Sequence, residues 1–357
     1  MERKKILLVS NMYPSKTKPY AGVFVKNQYE YFTENYMEEY SLDIFYMKRT
    51  FNSILGSVLK YFKASLSFFR QHFFKTYDII HLHFFFPLIV VVYTYMIFHP
   101  KTKLVVTFHG SDVTKSGRTK LLRVMFRFFA RKIDYYISVG KELSEKIEEN
   151  LKIKEGKVIC AGVDQRVFFP ISNEPTKKYD YIFVGSFFYG KGIDMIIEAI
   201  KIIGDKEIKF CFVGSGPFYV DLLKLKEEEY DISIFENKTQ MELRQLYNEA
   251  KFLLLPSRWE AFGLVATEAV FCGTPIIVST NGGLKDQLIK NKTGFFASTT
   301  DQIVDAISQT LKLNKEQYQE LVKNCLSSNQ EYSLLSVCNE IENVYKDLLS
   351  SRVEKSS

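Results

Sequence analysis

Short apolar runs alternate with stretches of helical periodicity along most of the chain. An apolar run of about four to eight residues between turn residues predicts a buried strand, and apolar residues recurring every three or four positions predict a helix. The predicted strands of the first half are residues 6–10, 42–47, 78–83, 103–108, 135–139 and 157–161. Those of the second half are residues 181–184, 209–213, 232–235, 252–255 and 276–279. Because strands and helices alternate, each half is predicted to form a parallel sheet covered by helices.

One stretch interrupts this alternation. Residues 167–178 contain two prolines and show no apolar periodicity, which is typical of a linker. A chain of 357 residues is also longer than a single hydrophobic core usually serves. We therefore expect two domains, residues 1–168 and residues 179–333, followed by an amphipathic helix over residues 334–349.

Charge is divided unevenly between the two halves. The net charge is +7, to which residues 1–168 contribute +12 and the remainder −5. A basic half predicts an anionic partner, and charge alone leaves a membrane surface, a nucleic acid and a phosphorylated acceptor open. Nucleic acid is disfavoured, because the sequence shows neither a recognition-helix pattern nor an aromatic strand platform.

Two segments of the basic half, residues 53–74 and 121–131, combine apolar positions at helical spacing with lysines and arginines. One interpretation is a core face opposite a solvated basic face. The other is docking on anionic lipid, which would bring a lipid-linked acceptor to the protein. The sequence leaves both open. The apolar run 84–98 is shorter than the about 20 residues of a membrane span and contains Pro87, so it predicts a buried helix.

The residues that bind metals best are sparse. The five cysteines are scattered without metal spacing and are expected to be buried thiols in a reducing, cytoplasmic compartment. His81 and His83 occupy alternate positions of a predicted strand, so both lie on one face, but no third ligand follows at a suitable spacing. The chain contains no Asp-x-Asp motif. No metal and no cofactor are therefore expected.

The most informative stretch is the turn that follows the predicted strand 252–255. It places Glu260 just before a predicted helix that opens at Gly263, and Glu268 inside that helix. The N-terminus of a helix carries free N–H groups and a partial positive charge, so it attracts an anion such as a diphosphate. Carboxylates would repel that anion, but they accept hydrogen bonds from the hydroxyls of a diol. Together these groups fit a sugar nucleotide, although an ordinary turn with two solvated glutamates has the same spacing.

The series Glu260-Ala-Phe-Gly-Leu-(x)3-Glu268-Ala-(x)3-Gly-Thr-Pro275 resembles the E-x7-E motif of the family-four retaining glycosyltransferases. The resemblance implies that Glu260 lies beside the transferred sugar and that Glu268 binds the ribose. It also implies that the backbone of Phe262, Gly263 and Leu264 meets the diphosphate.

Two further loops resemble donor-binding segments of that family. Gly185-Ser186-(x)4-Lys191-Gly is similar to the family motif G-R-(x)4-K-G, so Lys191 is expected to neutralise the diphosphate as a leaving group. Ser186 replaces the arginine of the motif, which implies a weaker phosphate clamp. Where the family has two adjacent glycines near the N-terminus, this chain has Ala21-Gly22, so Gly22 alone matches. Asn237 stands in the loop that the resemblance assigns to the nucleotide base, where the family usually has glycine.

His109-Gly-Ser-Asp112 follows a predicted strand and is similar to the family's H-G-x-D segment. The resemblance implies that His109 contacts the transferred sugar and that Asp112, with His83, lies on the acceptor side. A lone histidine is otherwise more often a structural residue of the core.

The resemblance implies an α/β fold with two Rossmann-like, doubly wound parallel-sheet domains that face a cleft, which is the GT-B arrangement. The helix 334–349 is expected to pack back on the first domain.

The resemblance also implies a metal-independent, retaining hexosyltransferase. This enzyme would move a sugar from a nucleotide-sugar, UDP-linked in preference to GDP-linked, to a hydroxyl acceptor. The catalytic residues would be His109, Glu260 and Lys191. The acceptor would be a glycan or lipid-linked glycan of bacterial surface polysaccharide biosynthesis, with peripheral contact to the inner face of the membrane left open. A catalytically impaired nucleotide-sugar-binding scaffold and an epimerase of the same fold remain alternatives.

Overall fold

A computed structural model describes residues 2–47, 54–110, 113, 120–172, 176–328 and 330–350. The chain divides into two compact units. The first takes the described residues of Met1–Ser15, Ala21–Gly162 and Leu334–Ser357, and the second takes those of Lys16–Tyr20 and Val163–Ser333. The interdomain boundary therefore follows Gly162 rather than residue 168, and the expected linker 167–178 lies in the second unit wherever it is described.

The first unit is built on a six-stranded parallel sheet with the order β2-β1-β3-β4-β5-β6. Its strands are β1 (Lys4–Ser10), β2 (Tyr40–Tyr46), β3 (Ile79–His83), β4 (Lys103–Phe108), β5 (Tyr135–Ser138) and β6 (Gly156–Val158). Its described helices are Val23–Asn35, Ile54–His72, Ile89–Phe98, Lys120–Ala130, Lys141–Leu151 and Leu334–Ser350. The predicted strand 157–161 ends three residues early, and the predicted helix 84–98 begins only at Ile89, after Pro87.

The second unit repeats this plan with the strand order β12-β11-β10-β7-β8-β9, again parallel. Its strands are β7 (Tyr179–Val184), β8 (Phe210–Val213), β9 (Ile232–Phe235), β10 (Ala250–Leu255), β11 (Ile276–Val278) and β12 (Gly294–Phe296). Its α-helices are Ile193–Ile203, Tyr219–Glu227, Gln240–Glu249, Leu264–Phe271, Gly283–Asn291, Thr300–Thr310 and Lys315–Ser327. Short 3₁₀ turns occupy Tyr189–Lys191 and Gln330–Tyr332.

The helix Leu334–Ser350 belongs to the core of the first unit. Its apolar residues Leu334, Val337, Ile341 and Val344 pack with residues of the strands, among them Ile6. This side of the first sheet also receives the helix Val23–Asn35, through the contact between the rings of Phe32 and Tyr345 at 5.6 Å. The helix Leu334–Ser350 therefore completes the core of the first unit, although more than 300 residues separate it from β1 in the sequence.

The strand order determines where each unit can hold a ligand. In the second unit β7 and β10 are neighbours, and the connections leave them in opposite directions across the sheet. The same reversal occurs between β1 and β3 in the first unit. Open α/β sheets bind ligands at such switch points, beyond the carboxyl ends of the strands. The loops after β7 and β10, and those after β1 and β3, are therefore the places to look for a site.

Candidate functional site

The loops that follow β7 and β10 are held together by their backbones. Gly190 O accepts hydrogen bonds from the N–H groups of Arg258 (2.9 Å) and Trp259 (3.2 Å). Gly192 begins the helix Ile193–Ile203 with φ +72°, and a Cβ at this position would lie 2.2 Å from Pro256 O. Only glycine permits this approach, because it tolerates the left-handed conformation and carries no side chain. The glycines flanking Lys191 thus serve the contact between the two loops.

This contact brings Lys191 and Glu260 together. Lys191 Nζ lies 2.6 Å from Glu260 Oε2, and both side chains are largely shielded from solvent, with 24% and 13% of their surface exposed. Oε1 of Glu260 accepts a hydrogen bond from the N–H of Ala261 at 3.2 Å. Each charge is therefore compensated by the other in the free protein, at the carboxyl edge of the sheet.

The helix Leu264–Phe271 begins directly beside this ion pair. Gly263 precedes it with φ +90° and ψ +52°, and its carbonyl accepts the hydrogen bond from Ala266 N. The N–H groups of Leu264 and Val265 come before that first helical bond and are free of helical acceptors. Phe262 is buried against the ring of Tyr332, which fixes the start of the helix. A cation and a helix N-terminus in this arrangement suit a diphosphate.

Glu268 lies inside the same helix and is almost fully buried. The Tyr247 hydroxyl donates a hydrogen bond to Glu268 Oε2 at 3.0 Å. Tyr247 is itself held by Thr274, whose hydroxyl donates to the Tyr247 carbonyl at 2.7 Å. Burial raises the pKa of Glu268 to about 8, against the smaller lowering effect of the Tyr247 hydrogen bond. This carboxyl group is therefore mostly protonated at neutral pH in the free protein.

Arg258 is a residue of this site that sequence reasoning missed. Its guanidinium forms a two-pronged ion pair with Asp194, at 2.7 and 2.8 Å, and donates to the Tyr189 carbonyl at 2.7 Å. The guanidinium carbon also lies 3.7 Å from the centre of the Tyr189 ring. Arg258 thereby fastens the β10 loop to the loop and helix that carry Lys191. The sequence feature that could have identified Arg258 is its position in the turn, two residues before Glu260.

The remaining predicted donor residues line the same edge of the sheet. Gly185 has φ +156°, and a Cβ at Gly214 would lie 1.9 Å from Gly185 O, so the loops after β7 and β8 are also in close contact. Ser186 is exposed. Asn237, just after β9, is exposed and adopts φ +53°, a left-handed conformation that asparagine tolerates.

In the first unit, His83 ends β3 and His109 directly follows the neighbouring strand β4, and the two side chains contact each other. His83 Nδ1 lies 3.3 Å from His109 Nε2, and the two rings are stacked with their centres 5.6 Å apart. The rings of Phe24 and Phe84 pack on His109 at 4.6 and 4.4 Å. Burial lowers the pKa of His83 to about 3 and that of His109 well below its usual value. Both imidazoles are therefore neutral and able to accept or donate a hydrogen bond.

His81 is a structural residue of the core. Its Nδ1 lies within hydrogen-bonding distance of Gln28 Nε2 and of the Tyr345 hydroxyl, and its Nε2 lies 2.6 Å from the Thr107 hydroxyl. These partners occupy both ring nitrogens. His83 differs, because its Nε2 is buried without a hydrogen-bond partner. In the described part of the chain no three histidine, cysteine or acidic side chains are grouped closely enough to hold a metal ion.

Gly22 opens the helix Val23–Asn35 at the end of the loop after β1. It has φ +71°, and a Cβ there would lie 2.6 Å from the Met12 carbonyl carbon and oxygen. Ala21 is buried. Gly22, the one glycine here that matches the family pattern, is therefore required by the conformation of the loop after β1. Asp112, predicted for the acceptor side, lies outside the described residues.

The structure thus groups the predicted residues by unit. In the second unit, direct contacts join Lys191 with Glu260. The other predicted residues of this unit lie in loops or a helix that follow the carboxyl ends of β7, β9 and β10, and they are Gly185, Ser186, Asn237, Phe262, Gly263, Leu264 and Glu268. In the first unit, Gly22, His83 and His109 lie at the carboxyl edge of the sheet.

Two family models together match most of the chain. Residues 28–166 match glycosyltransferase family 4, and residues 164–326 match glycosyl transferases group 1. An uncharacterized glycosyltransferase from Methanocaldococcus jannaschii is 29% identical over 279 residues, which cover 76% of both chains. N-acetyl-alpha-D-glucosaminyl L-malate synthase from Bacillus anthracis is 27% identical over 289 residues, covering 76% of this chain and 75% of that protein.

Solved structures show the same architecture. Sucrose-phosphate synthase from Thermosynechococcus elongatus is similar with a TM-score of 0.77 and 19% identity, over 98% of this chain and all of that one. HepE from Anabaena, in complex with UDP-glucose, is similar with a TM-score of 0.71 and 15% identity, over 96% and 99% of the two chains. The fold is that of a GT-B glycosyltransferase, with two doubly wound α/β units. The chain belongs to the family-four glycosyltransferases.

Proposed function

We propose that this glycosyltransferase moves a hexosyl group from a nucleotide-sugar to a hydroxyl acceptor with retention of the anomeric configuration. The observation that carries the proposal is the pairing of Lys191 with Glu260 at the N-terminus of the helix Leu264–Phe271. A cation and free N–H groups are available there for a diphosphate, and a carboxylate for sugar hydroxyls.

In this proposal the second unit binds the donor. Lys191 and the N–H groups of the Phe262-Gly263-Leu264 segment hold the diphosphate, Glu260 holds the sugar, and Glu268 accepts hydrogen bonds from the ribose. The strand-end position of Asn237 suits contact with the base. The complexes of HepE with UDP and with UDP-glucose support a UDP-linked donor as the first choice.

In the proposed reaction the bond between the anomeric carbon and the diphosphate oxygen breaks as the acceptor oxygen bonds to the same face of that carbon. The acceptor proton passes to the departing diphosphate oxygen, so no side chain has to act as general base. The charge that develops on the diphosphate is stabilised by Lys191 and the helix N-terminus, without a metal ion. The neutral imidazole of His109 would hydrogen-bond the sugar, and His83 orients that ring.

We further propose an acceptor that is a glycan or lipid-linked glycan of surface polysaccharide biosynthesis, met on the cytoplasmic side of a bacterial membrane. The basic charge of residues 1–168 supports an acceptor that carries phosphate or lies at an anionic surface. The described residues include no helix that is long and apolar enough to cross a membrane.

The test is calorimetric titration with a panel of UDP-, GDP- and ADP-sugars, together with measurement of donor hydrolysis. Binding of one nucleotide series with slow release of its sugar is the expected result. If the wild-type protein binds none of these donors, the proposal fails. Binding without hydrolysis or transfer to any glycan acceptor would favour the scaffold alternative, to which the exposed Ser186 in place of arginine points.

A further inference from the structure

Four helices of the first unit form one layer on the same side of its sheet. The connections from β2 to β3, β3 to β4, β4 to β5 and β5 to β6 all run in the same direction across the sheet. The first of them passes over β1, which lies between β2 and β3. Right-handed crossovers then place the four described helices of these connections on one face. The side-chain contacts agree, since Tyr93 packs on Phe128 and Phe129, and Phe73 packs on Phe98. Three of these helices are Ile54–His72, Ile89–Phe98 and Lys120–Ala130, and the fourth is Lys141–Leu151.

The outer side of the first three helices is apolar. On each helix the exposed apolar residues recur at helical spacing, so they point away from the sheet together. We call them the apolar face; they are Phe62, Leu66, Val90, Ile97, Leu121, Val124 and Phe128. Their exposed fractions run from 41% for Val90 to 80% for Leu121. Large exposed apolar patches on soluble proteins mark sites of interaction.

The part of the sequence that contains these helices is strongly basic. Residues 44–133 contain fifteen lysines and arginines and only two acidic residues, Asp78 and Asp112, a net charge of +13. The three helices contain no aspartate or glutamate. Lys63 and Arg70 are exposed beside Phe62 and Leu66 on one helix. The fourth helix of the layer, Lys141–Leu151, carries four glutamates and marks the boundary of this basic region.

A lipid surface fits this combination better than a protein partner. Cores of protein interfaces are depleted in lysine, and an acidic protein would need acidic groups opposite a broad, three-helix surface. A bilayer of anionic lipid provides negative charge over the whole area and an apolar layer below it. Each lysine or arginine near such a surface is attracted to it, and the burial of apolar side chains adds to this attraction. Helices that lie in the interface bury their apolar side while the basic residues remain among the headgroups.

We propose that the apolar face, with its surrounding lysines and arginines, docks the first unit on an anionic lipid bilayer. The three helices lie parallel to the surface, and Leu121, the most exposed residue of the apolar face, enters the bilayer together with Val124 and Phe128 of the same helix. This docking is independent of the donor site, which belongs to the second unit.

Flotation with vesicles tests the proposal on the full chain. The vesicles contain phosphatidylcholine with about one third phosphatidylglycerol, and a parallel set contains phosphatidylcholine alone. We expect binding to the anionic vesicles at low salt, at least tenfold weaker binding to the neutral vesicles, and a strong decrease as salt rises, because surface charges are screened. If the wild-type chain does not float with anionic vesicles at low salt, the proposal is overturned, and an acidic protein becomes the better partner for this face.

Matched double variants distinguish membrane binding through the apolar face from nonspecific binding through exposed apolar residues elsewhere. L121S/V124S removes two exposed apolar side chains of the apolar face, and V220S/L223S removes two from the helix Tyr219–Glu227 of the second unit, where Val220 and Leu223 are 58% and 39% exposed. The first variant should lose at least tenfold in vesicle binding, and the second should bind like the wild type. Equal loss in both variants would contradict the assignment. Because the exchanged residues are exposed, both variants should keep the wild-type melting temperature.

Insertion can be observed directly with a single fluorophore. Trp259 is the only tryptophan of the chain, so the variant W259F/L121W carries one tryptophan, in the apolar face. Its emission should shift to the blue on mixing with anionic vesicles and be quenched by brominated lipid. Emission that stays unchanged while the protein floats would mean that a different surface binds the membrane, and would refute this face. Neither readout requires glycosyltransferase activity, so failure here leaves the proposed reaction untouched.

Discussion

Lys191 Nζ and Glu260 Oε2 lie 2.6 Å apart, although the two residues are 69 positions apart in the sequence. They come from the loops after β7 and β10, which meet at the switch point of the second sheet. In the proposed reaction Lys191 holds the diphosphate and Glu260 the sugar, so the donor would exchange their mutual ion pair for contacts with itself. The pair keeps both charges compensated until the donor arrives.

Lys191→Gln and Glu260→Gln should therefore have different effects. Loss of the lysine removes a charge-assisted contact of about 2–3 kcal/mol, so we expect the affinity for the nucleoside diphosphate to fall by roughly 30- to 150-fold. Loss of the glutamate charge frees Lys191, so that affinity should be unchanged or higher, while sugar transfer falls by at least 100-fold. Titration with the diphosphate and a transfer assay measure the two effects. Equal weakening of diphosphate binding in both variants would refute the division of roles.

The pKa of Glu268 predicts proton release on donor binding. Burial raises this pKa to about 8, so the free protein holds the proton at neutral pH. Two ribose hydroxyls that donate to the carboxylate favour its ionised form and lower the pKa in the complex. Affinity for the nucleoside diphosphate should therefore rise between about pH 6 and pH 8 and level off above. Calorimetry in buffers of different ionisation enthalpy should detect release of a fraction of a proton at pH 7. The variant E268Q should release less and lose this part of the pH dependence; identical behaviour would argue against Glu268 as the group involved.

The same pKa predicts how stability changes with pH. The unfolded chain ionises Glu268 near pH 4.5, whereas the folded chain keeps the proton up to about pH 8. Between these values the native state binds more protons, so the free energy of unfolding falls as pH rises. Glu268→Gln removes this contribution. We expect the melting temperature of E268Q, relative to the wild type, to increase from pH 5 to pH 8. A constant difference across that range would show that burial of Glu268 imposes no such penalty.

Two glycines with similar backbones allow a matched test of the loop contact. Gly192 and Gly204 begin and end the helix Ile193–Ile203 with φ +72° and +67°, so alanine suffers a similar left-handed strain of about 1–2 kcal/mol at either position. A Cβ at Gly192 also lies 2.2 Å from Pro256 O, whereas one at Gly204 meets nothing closer than 3.9 Å. Gly192→Ala should thus lower the melting temperature more than Gly204→Ala, and it alone should weaken diphosphate binding. Similar binding losses in both variants would show that backbone strain, rather than the loop contact, is responsible.

Much of the fold could be predicted from the sequence, because apolar runs mark buried parallel strands. β4, for example, spans the predicted residues 103–108, and β9 the predicted residues 232–235. β12 was missed, since three residues, Gly294–Phe296, give no periodicity to detect. The start of the helix at Ile89 was also missed, because the apolar run 84–98 continues through residues that lie before the helix.

The contacts within the candidate site could not be predicted from the sequence. Motif spacing marked Lys191 and Glu260 separately, but their contact depends on the parallel pairing of β7 with β10, and local periodicity carries no information on strand order. The contact of Glu268 with Tyr247 was equally hidden, because Tyr247 belongs to a different helix, Gln240–Glu249, and local sequence does not show which helices pack together.

Arg258 should act as a positioning residue for this contact. It joins the β10 loop to Asp194 by two bonds and to the Tyr189 carbonyl and ring, so the loops that carry Glu260 and Lys191 are held in register. Lysine keeps the charge but provides neither the planar fork nor the stacking. Arg258→Lys should therefore reduce kcat by roughly tenfold, as expected for about 1.4 kcal/mol of lost positioning, with a smaller change in the Kd of the diphosphate.

A double-mutant cycle with Asp194→Asn distinguishes positioning from a general loss of stability. If Arg258 acts through Asp194, the two single variants lose similar activity, and the double variant loses little more than either. Melting curves serve as the control, since a purely structural role would lower the melting temperature in all three variants while kcat at low temperature stayed at the wild-type value. Additive losses in kcat would mean that Arg258 acts on the substrate itself rather than through the loop that it fastens.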